Sequence, residues 1–356
     1  MAEESGKLLK LLKLVAPGTP LRSALDQIIL SKNGALIVLS DSKEVLSIAN
    51  GGFEINSDFT PIKLYELAKM DGAIILSKDL SRILRANVHL VPDFSQLTSE
   101  TGTRQRTAER VARQTGAPVI SISEDLGNVF LYLGEVKYIL EDIRLLLARS
   151  NQALQTLEKY KARLDQVTSN LNALEFEGLV TLSDVATVIQ RSGMVMRIAR
   201  EIERYVIELG QEGRLVKMQL DELIANVEEE YLQTLKDYCR LRGKRTIEGI
   251  MGELSQISLE ELLDSSNVAR MIGYGGGIEV LDKPVMAKGY RILRRIPRLP
   301  PLVIDNVVDR FQNLDRIMKA SIDELDEVEG VGEVRAKLLQ EGLKRLSEIS
   351  LVEKYI

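Results

Sequence analysis

Short runs of β-branched and other apolar residues recur from Leu21 to about Leu133 and then give way to helical patterns, and this boundary restricts the fold more than any other feature of the sequence. Five runs predict strands, over 34–40, 73–77, 86–91, 118–123 and 128–133. Helical patterns lie between them at 20–32, 61–70 and 104–115, the first two opened by a proline. The region is therefore predicted to be an α/β domain with a central mixed sheet.

From Lys137 to about Gly243 the strand pattern is absent and helix-forming residues dominate. Apolar residues at alternating spacings of three and four predict one long helix with a single polar seam position. The seam residues are Ile143, Leu146, Ser150, Ala153, Leu157, Tyr160, Leu164, Val167, Leu171 and Leu174. The plain interpretation is an all-α helical spacer, and the alternative is a coiled-coil contact between two copies. Glycines in the stretch 271–280 predict a flexible connection after it.

The last region opens with the basic stretch KGYRILRRIPRLP, which starts at Lys288 and contains five cationic residues and no acid. This predicts a local basic patch on a chain whose net charge is −5. Further on, EGVGEVRAKLL places Val331 between Gly330 and Gly332. That pattern predicts a tight turn between two helices, with the valine in the core and the amides facing outward to an anion.

The glycine turn resembles the helix-hairpin-helix family, whose hairpins bind DNA without reading its sequence. The resemblance implies that Gly330, Val331, Gly332 and Lys337 bind DNA, with backbone phosphate as the anion. Residues 296–311 are interpreted as a degenerate first copy in which Pro300 and Pro301 stand where the glycines would be. The alternative is a plain corner between two helices.

Composition excludes several classes of protein. A sequence pI near 5.4 argues against a uniformly basic nucleic-acid coat. The single Cys239 excludes an internal disulfide, and with His89 as the single histidine few transition-metal sites are possible. These features favour a reducing, cytoplasmic setting. No run of about 20 apolar residues is present, so no membrane partner is expected.

Two local features of the first region predict an anion site. In the helix beginning near Arg104, Ala108, Val111, Ala112 and Thr115 form the inner face, and Arg106, Arg110 and Arg113 lie on the opposite, solvated face. At its start, hydroxyls, guanidinium groups and free amides come together in Thr103, Arg104, Gln105, Arg106 and Thr107, as an oligophosphate site requires. Separately, Asp71 precedes Gly72 at a helix-to-strand corner, where a carboxylate would hold a divalent cation or orient a hydroxyl. A plain turn is the alternative there.

Together these segments, DGA (71–73) and GTRQRTAER (102–110), closely resemble the diadenylate cyclase family. The stretch TPIKLYELAKMDG, the helical spacer and the hairpin end extend the resemblance over the whole chain. It implies a diadenylate cyclase domain at 1–145, a helical spacer at 146–287 and a helix-hairpin-helix domain at 288–356.

The resemblance also implies an activity, the condensation of two ATP into cyclic di-AMP and two pyrophosphates with Mg²⁺ or Mn²⁺. Asp71, Arg104 and Arg106 would be catalytic, with Asp71 acting on the 3′-hydroxyl and as the metal ligand. ATP would contact Gly72, Ala73, the backbone at Leu90, Thr103, Arg104, Gln105, Arg106, Thr107 and Ser123. Two ATP molecules would face each other across a two-fold interface of a homo-octamer, and branched DNA such as a Holliday junction would regulate synthesis at the nucleoid.

One position departs from the family, which has Arg-His-Arg where this chain has Arg104, Gln105 and Arg106. Glutamine hydrogen-bonds but does not become cationic near neutral pH, so we predict retained ATP binding with slower turnover. A second hypothesis follows from this residue. The chain would then be a DNA-binding scaffold whose nucleotide domain senses ATP with weak activity.

Overall fold

The computed structural model describes residues 2–124, 127–241 and 243–354. The chain packs as two compact units, Met1–Asn151 with Glu203–Lys217 and Gln152–Ile202 with Met218–Ile356. The domain bounds 1–145, 146–287 and 288–356 stay predictions, and their end positions 1 and 355–356 lie outside the described residues.

The first unit contains a mixed sheet with strand order β2-β5-β4-β1-β6-β7-β8, and β3 pairs with β5. Strands β1 and β4 are parallel, with Leu36 opposite Ala73, and the other described pairs are antiparallel. The strands are β1 Ala35–Leu39, β2 Ala49–Asn50, β3 Phe53–Asp58, β4 Ala73–Leu76, β5 Arg82–Leu90, β6 Val119–Ile122, β7 Val129–Leu133 and β8 Val136–Ile139. The predicted α/β class with a mixed sheet is confirmed.

Helices cover both faces of this sheet. They are α1 Ala2–Leu14, α2 Pro20–Leu30, α3 Lys43–Ser47, α4 Pro61–Leu67 and α5 Thr103–Thr115. The core on one face joins α1, α2 and α4 through Leu12, Leu25 and Leu64. The core on the other face joins α3 and α5 through Val45 and Val111. Strands β1, β4 and β6 are buried along their whole length because both of their faces are covered.

Helices dominate the rest of the chain, as predicted, although β8 extends two residues past the predicted start of that region at Lys137. The helices are α6 Ile143–Glu177, α7 Leu182–Leu209, α8 Arg214–Ile224, α9 Val227–Tyr238, α10 Ile247–Gln256, α11 Leu259–Leu263, α12 Ser265–Met271, α13 Tyr290–Arg294, α14 Pro301–Phe311, α15 Leu314–Lys319, α16 Ile322–Asp326 and α17 Gly332–Lys354. Among the described residues, no helix has the length and apolarity needed to cross a membrane.

The apolar stripe of α6 differs from the predicted seam. Its buried members drift by one residue, from Ala153 to Leu154 and from Val167 to Thr168. They are Leu146, Ser150, Leu154, Leu157, Leu164, Thr168, Leu171 and Glu175. This drift is the 3.6-residue period of a straight helix rather than the 3.5-residue period of a coiled coil. The stripe is already buried within one chain, which supports the spacer interpretation over a coiled-coil contact between copies.

The glycine-rich stretch 271–280 begins with a packed turn at Gly273 and Tyr274 and continues through exposed residues 275–279, so its predicted flexibility stays a prediction. Gly273 has a φ of 97°, and a Cβ there would lie 2.2 Å from the carbonyl oxygen of Arg240. The ring of Tyr274 lies 4.2 Å from the Arg240 guanidinium, and its hydroxyl donates to the carbonyl of Tyr238 at 3.0 Å. Glycine is therefore required at 273 by close contact and a left-handed backbone.

Two similar hairpins follow one another in the last region. In the first, α13 leads through a turn containing Arg298 and buried Leu299 into α14. In the second, α16 leads through a turn containing Gly330 and buried Val331 into α17. The two turns share a left-handed residue before the buried anchor, with φ of 64° at Arg298 and 84° at Gly330.

The basic stretch that begins at Lys288 forms only part of the patch that its composition predicts, because two of its five cations are held by internal contacts while Arg294, Arg295 and Arg298 stay exposed. Arg291 is 2 % exposed, and its Nη2 lies 2.6 Å from a carboxylate oxygen of Glu175. The Lys288 ammonium donates to the carbonyl of Lys236 at 2.9 Å. These two cations are used within the second unit, because a buried guanidinium requires a buried anion.

Candidate functional site

A cavity of about 470 Å³ opens at one edge of the sheet in the first unit. At this edge β1 and β4 begin, β5 and β6 end, and α5 has its N-terminus. The lining residues are Leu36, Gly72, Ala73, Val88, His89, Leu90, Gly102, Thr103, Arg104, Gln105, Thr107, Ser123 and Glu124. The cavity therefore combines an apolar floor from the strands with the polar start of a helix.

Most residues predicted for the site line this cavity, although they come from four separate segments. Those brought together are Gly72, Ala73, Leu90, Thr103, Arg104, Gln105, Thr107 and Ser123. Asp71 and Arg106 are not among the lining residues. Asp71 is exposed and directly precedes Gly72, so it lies next to the cavity in the chain. The chemical roles of all these residues stay predictions.

The corner at Gly72 is shaped by a tight contact with β5. Gly72 has a φ of 92°, and a Cβ there would lie 2.8 Å from the carbonyl carbon of Asn87. Asn87 itself has a φ of 54° and lies where the pairing of β4 with β5 changes register, between Ala73 opposite Val88 and Ile75 opposite Arg85. Only glycine accommodates both the left-handed backbone and the contact. This bulge fixes the backbone that carries Asp71.

The N-terminus of α5 lacks a side-chain cap. The N-cap residue is Gly102, which makes no side-chain hydrogen bond to the first turn. Gln105 folds back over it, since a Cβ on Gly102 would lie 2.4 Å from Gln105 Oε1. Uncapped amides at the positive end of the helix dipole favour an anion such as a phosphate group.

Arg104 brings a positive charge to this helix start. Its guanidinium packs over Gly34, where a Cβ would lie within 1.9 Å of Nη1, and Nη1 donates weakly to the carbonyl of Ile122 at 3.4 Å. Among the described residues no carboxylate forms an ion pair with it. The charge is therefore available to an anion in the cavity.

The other arginines of α5 serve a different purpose. Arg106 Nε donates to the carbonyl of Glu100 at 2.9 Å, and Arg110 Nε donates to the carbonyl of Gln96 at 3.1 Å. Arg113 pairs with Glu109 at 2.9 Å. The predicted solvated stripe is thus wrong in part, because Arg106 and Arg110 fasten the segment 93–101 along the helix.

Two carboxylates, the buried Glu109 and the partly buried Glu100, complete this attachment, and their contacts with the segment 93–101 and with Tyr132 were not predicted from the sequence. Glu109 accepts hydrogen bonds from the Thr98 hydroxyl at 2.5 Å and the Ser99 amide at 3.2 Å. Tyr132 donates its hydroxyl to Glu100 at 3.0 Å, and burial, together with the nearby Glu100, raises the pKa of Tyr132. Tyr132 therefore stays a neutral donor, and the segment before the site is anchored at several points.

Further lining residues were also missed by the sequence analysis, namely Leu36, Val88, Gly102 and Glu124. Leu36 and Val88 are found only once the register is known, since each pairs with Ala73 from a neighbouring strand. His89 lies in β5 opposite Asn50, as expected for a strand residue, and it also lines the cavity.

Few side chains near the cavity could bind a metal ion. The described residues contain no group of three or more His, Cys, Asp and Glu side chains close enough to bind one. A lone exposed carboxylate such as Asp71 fits Mg²⁺ or Mn²⁺ that is held chiefly by substrate phosphates, because Mg²⁺ typically uses one or two carboxylates and keeps oxygen ligands from phosphate and water.

Two family models match successive parts of the chain. Residues 22–136 match the model described as DisA bacterial checkpoint controller nucleotide-binding. Residues 140–281 match the DisA bacterial checkpoint controller linker region. The cavity lies within the nucleotide-binding match, so the fold and the site define a protein with an α/β nucleotide-binding domain followed by a helical linker.

Relatives are similar over nearly the whole chain. The DNA integrity scanning protein DisA of Carboxydothermus hydrogenoformans is 56% identical over 337 residues, which is 95% of this chain and 96% of that protein. DisA of Clostridium botulinum strain Langeland is 51% identical over 352 residues, or 99% of each chain. DisA of Symbiobacterium thermophilum is 54% identical over 346 residues, or 97% of each chain. The chain belongs to the DisA family.

Proposed function

We propose that this chain is a diadenylate cyclase that condenses two ATP molecules into cyclic di-AMP and two pyrophosphates. One observation carries the proposal: a single cavity in the nucleotide-binding domain joins an uncapped helix N-terminus and the guanidinium of Arg104, which has no carboxylate partner among the described residues, to an apolar floor of Leu36 and Val88. The polar part suits a triphosphate and the apolar part suits a flat base.

The reaction needs no protein nucleophile. The 3′-hydroxyl oxygen of each ATP forms a bond to the α-phosphorus of the other, and the bond from that phosphorus to pyrophosphate breaks. Asp71 would orient the hydroxyl and take its proton, while Arg104 and the α5 amides would stabilise charge on the phosphates. Because each copy has one such cavity, two copies must face each other, as in the predicted octamer.

Mg²⁺ or Mn²⁺, when bound with the nucleotide, would neutralise charge on the triphosphate, and Asp71 would be its protein ligand. The remaining cavity residues would act on the substrate directly. Gly72 and Ala73 allow close approach of the backbone, and Thr103 and Thr107 offer hydroxyls at the helix start.

The C-terminal hairpins would bind branched DNA, and this binding would regulate synthesis and associate the protein with the nucleoid. Support comes from the exposed turn at Gly330 and Gly332, whose left-handed backbone flanks the buried anchor Val331. Lys337 on α17 already pairs with Glu333 at 2.6 Å, so its charge is shared with that carboxylate.

The second candidate is a DNA-binding scaffold whose nucleotide domain senses ATP with weak activity. It is favoured by Gln105, which folds over Gly102 and brings no cation to the helix start. The two candidates differ in the amount of product formed, while both predict ATP binding.

Incubation of the purified chain with ATP and Mg²⁺, followed by chromatography for cyclic di-AMP, tests the activity. Asp71→Asn should reduce the rate by at least about 100-fold, equivalent to about 2.7 kcal/mol of transition-state stabilisation. Asp58→Asn, which removes a carboxylate outside the cavity, is the matched control. Full activity of Asp71→Asn would separate the chemistry from this carboxylate, and product-free ATP binding would favour the scaffold.

DNA binding is tested at Gly332 with a synthetic four-way junction. A Cβ at this position meets no atom within 4 Å, and its φ is 62°, a conformation that Asp and Asn tolerate better than other residues. Gly332→Asp places a negative charge where the phosphate would bind and should weaken binding about tenfold. Gly332→Asn, its neutral isostere, should bind nearly as well as the unsubstituted chain. Equal binding by both variants would exclude this turn as the phosphate site.

A further inference from the structure

Three arginines of the basic stretch stay exposed, Arg294, Arg295 and Arg298, and the first two have carboxylate partners. Arg294 and Arg295 end α13, which leads into the first hairpin. Their side chains are 39 % and 33 % exposed, in contrast to the buried Arg291. Consecutive exposed guanidinium groups beside a hairpin turn are typical of contacts with a phosphate backbone.

Both guanidinium groups are held by carboxylates at the start of α9. Arg294 Nε lies 2.6 Å from Glu229 Oε1, and Arg295 Nη2 lies 3.2 Å from Glu230 Oε1. The two glutamates are themselves 43 % and 42 % exposed. A carboxylate and a phosphodiester offer a guanidinium the same planar pair of charged oxygens, so one can replace the other.

The strengths of these contacts decide which arginines can exchange partners. Exposed ion pairs contribute little to stability because water screens both charges. Arg291 and Glu175 lie in the interior, where separation of the pair would leave an uncompensated charge. Exchange is therefore open to Arg294 and Arg295 and closed to Arg291.

We propose that Arg294 and Arg295 form a binding site for the phosphodiester backbone of DNA, and that Glu229 and Glu230 occupy this site as competing carboxylates until DNA displaces them. The site extends the DNA contact from the turn at Gly332 onto the first hairpin. It rests on the proposed DNA binding, and it makes the start of α9 the part of the linker that loses its partners when DNA binds.

The test measures the affinity of the full chain for a fluorescent four-way junction over a series of salt concentrations. Arg294→Gln/Arg295→Gln should weaken binding about tenfold and lower the slope of log affinity against log salt by about two, since each phosphate contact contributes about 0.9. Glu229→Gln/Glu230→Gln should strengthen binding by roughly three- to tenfold, because the competing charges are gone.

Glu228→Gln is the matched control, since Glu228 lies exposed on the same turn of α9 and the charge change per residue is equal. It should leave the affinity within about twofold. Thermal melting followed by circular dichroism checks that each variant is folded. If Glu228→Gln raised the affinity for the junction by half as much, in free energy, as Glu229→Gln/Glu230→Gln, the effect would come from net charge alone. The proposal that Glu229 and Glu230 compete with DNA would then be wrong.

The inference and the proposed function fail in different ways. Suppose that the unsubstituted chain binds the junction and that Gly332→Asp weakens this binding. If Arg294→Gln/Arg295→Gln then leaves the affinity and the salt slope unchanged, the arginine site is wrong and the proposed DNA binding stands. If the unsubstituted chain does not bind the junction even at low salt, the proposed DNA binding and the arginine site are both wrong.

Discussion

Two arginine-rich stretches of this chain have similar composition and different use. In α5, Arg106 and Arg110 donate to carbonyls of the segment 93–101, and only Arg104 contributes its charge to the cavity. In α13 and directly after it, Arg291 is buried against Glu175, whereas Arg294 and Arg295 pair with partly exposed glutamates. The number of arginines therefore does not indicate which anion they bind. The anion is indicated by the contact partner and the burial of each guanidinium.

The largest effect is expected at Arg291. Arg291→Met leaves Glu175 buried without its cation, so the free energy of unfolding should fall by about 3 to 5 kcal/mol. Arg298→Met, at an exposed position of the same stretch, should change it by less than about 0.5 kcal/mol. Urea unfolding of both variants measures the difference. Equal losses would mean that the buried pair adds nothing specific.

The next largest effect separates two arginines of α5. Arg104→Gln should lower the rate of cyclic di-AMP formation about 100-fold, because the cavity loses its unpaired charge. Arg106→Gln should lower it only a few-fold, since Arg106 Nε is engaged with the Glu100 carbonyl outside the cavity lining. Initial rates at saturating ATP decide the matter. Similar losses would show that Arg106 also reaches the phosphates.

A smaller effect is expected from Gln105→His. An imidazolium at the uncapped start of α5 would add a cation to the phosphate site, so turnover should rise about tenfold, or about 1.4 kcal/mol. The gain should be larger at pH 6 than at pH 8, where imidazole is neutral. If Gln105→His and the unsubstituted chain have equal rates at both pH values, the residue at this position does not affect turnover.

The smallest effect concerns the fastening of the segment 93–101. Arg110→Gln removes the hydrogen bond to the Gln96 carbonyl and the contact with the Phe94 ring, whose centroid lies 5.4 Å away. Together these are worth about 1 kcal/mol. Amide hydrogen exchange should accelerate in this segment while the unfolding midpoint stays nearly constant. Unchanged exchange would show that the remaining contacts of Glu109 suffice.

The sequence predicted the buried strands well because their apolar runs reflect burial on both faces. It missed the two-residue β2 and also β3 and β8, in which exposed and partly buried positions mix and polar residues such as Asn56 and Lys137 occur. Such edge strands depend on pairing with a neighbour rather than on composition. The apolar pattern of the sequence also did not reveal the period of the buried stripe on α6, because the polar residues Thr168 and Glu175 are buried in it.

At the candidate site, backbone requirements were easier to predict than side-chain directions. Gly72 and the start of α5 could be recognised because turn and helix rules are local. The destination of Arg106 depends on the segment 93–101, which lies nearby only in the folded chain. The same applies to Leu36 and Val88, which reach the cavity through strand register.

The first hairpin places an arginine in a conformation that the second reserves for glycine. Non-glycine residues in the left-handed region lose roughly 1 kcal/mol relative to glycine. Arg298, with a φ of 64°, bears that cost. At the corresponding position of the second hairpin, Gly330 has a φ of 84° without it. Replacement of Arg298 by glycine should therefore make the fold slightly more stable. Stability alone does not explain why this position has arginine. Selection would then act on the arginine side chain of that turn.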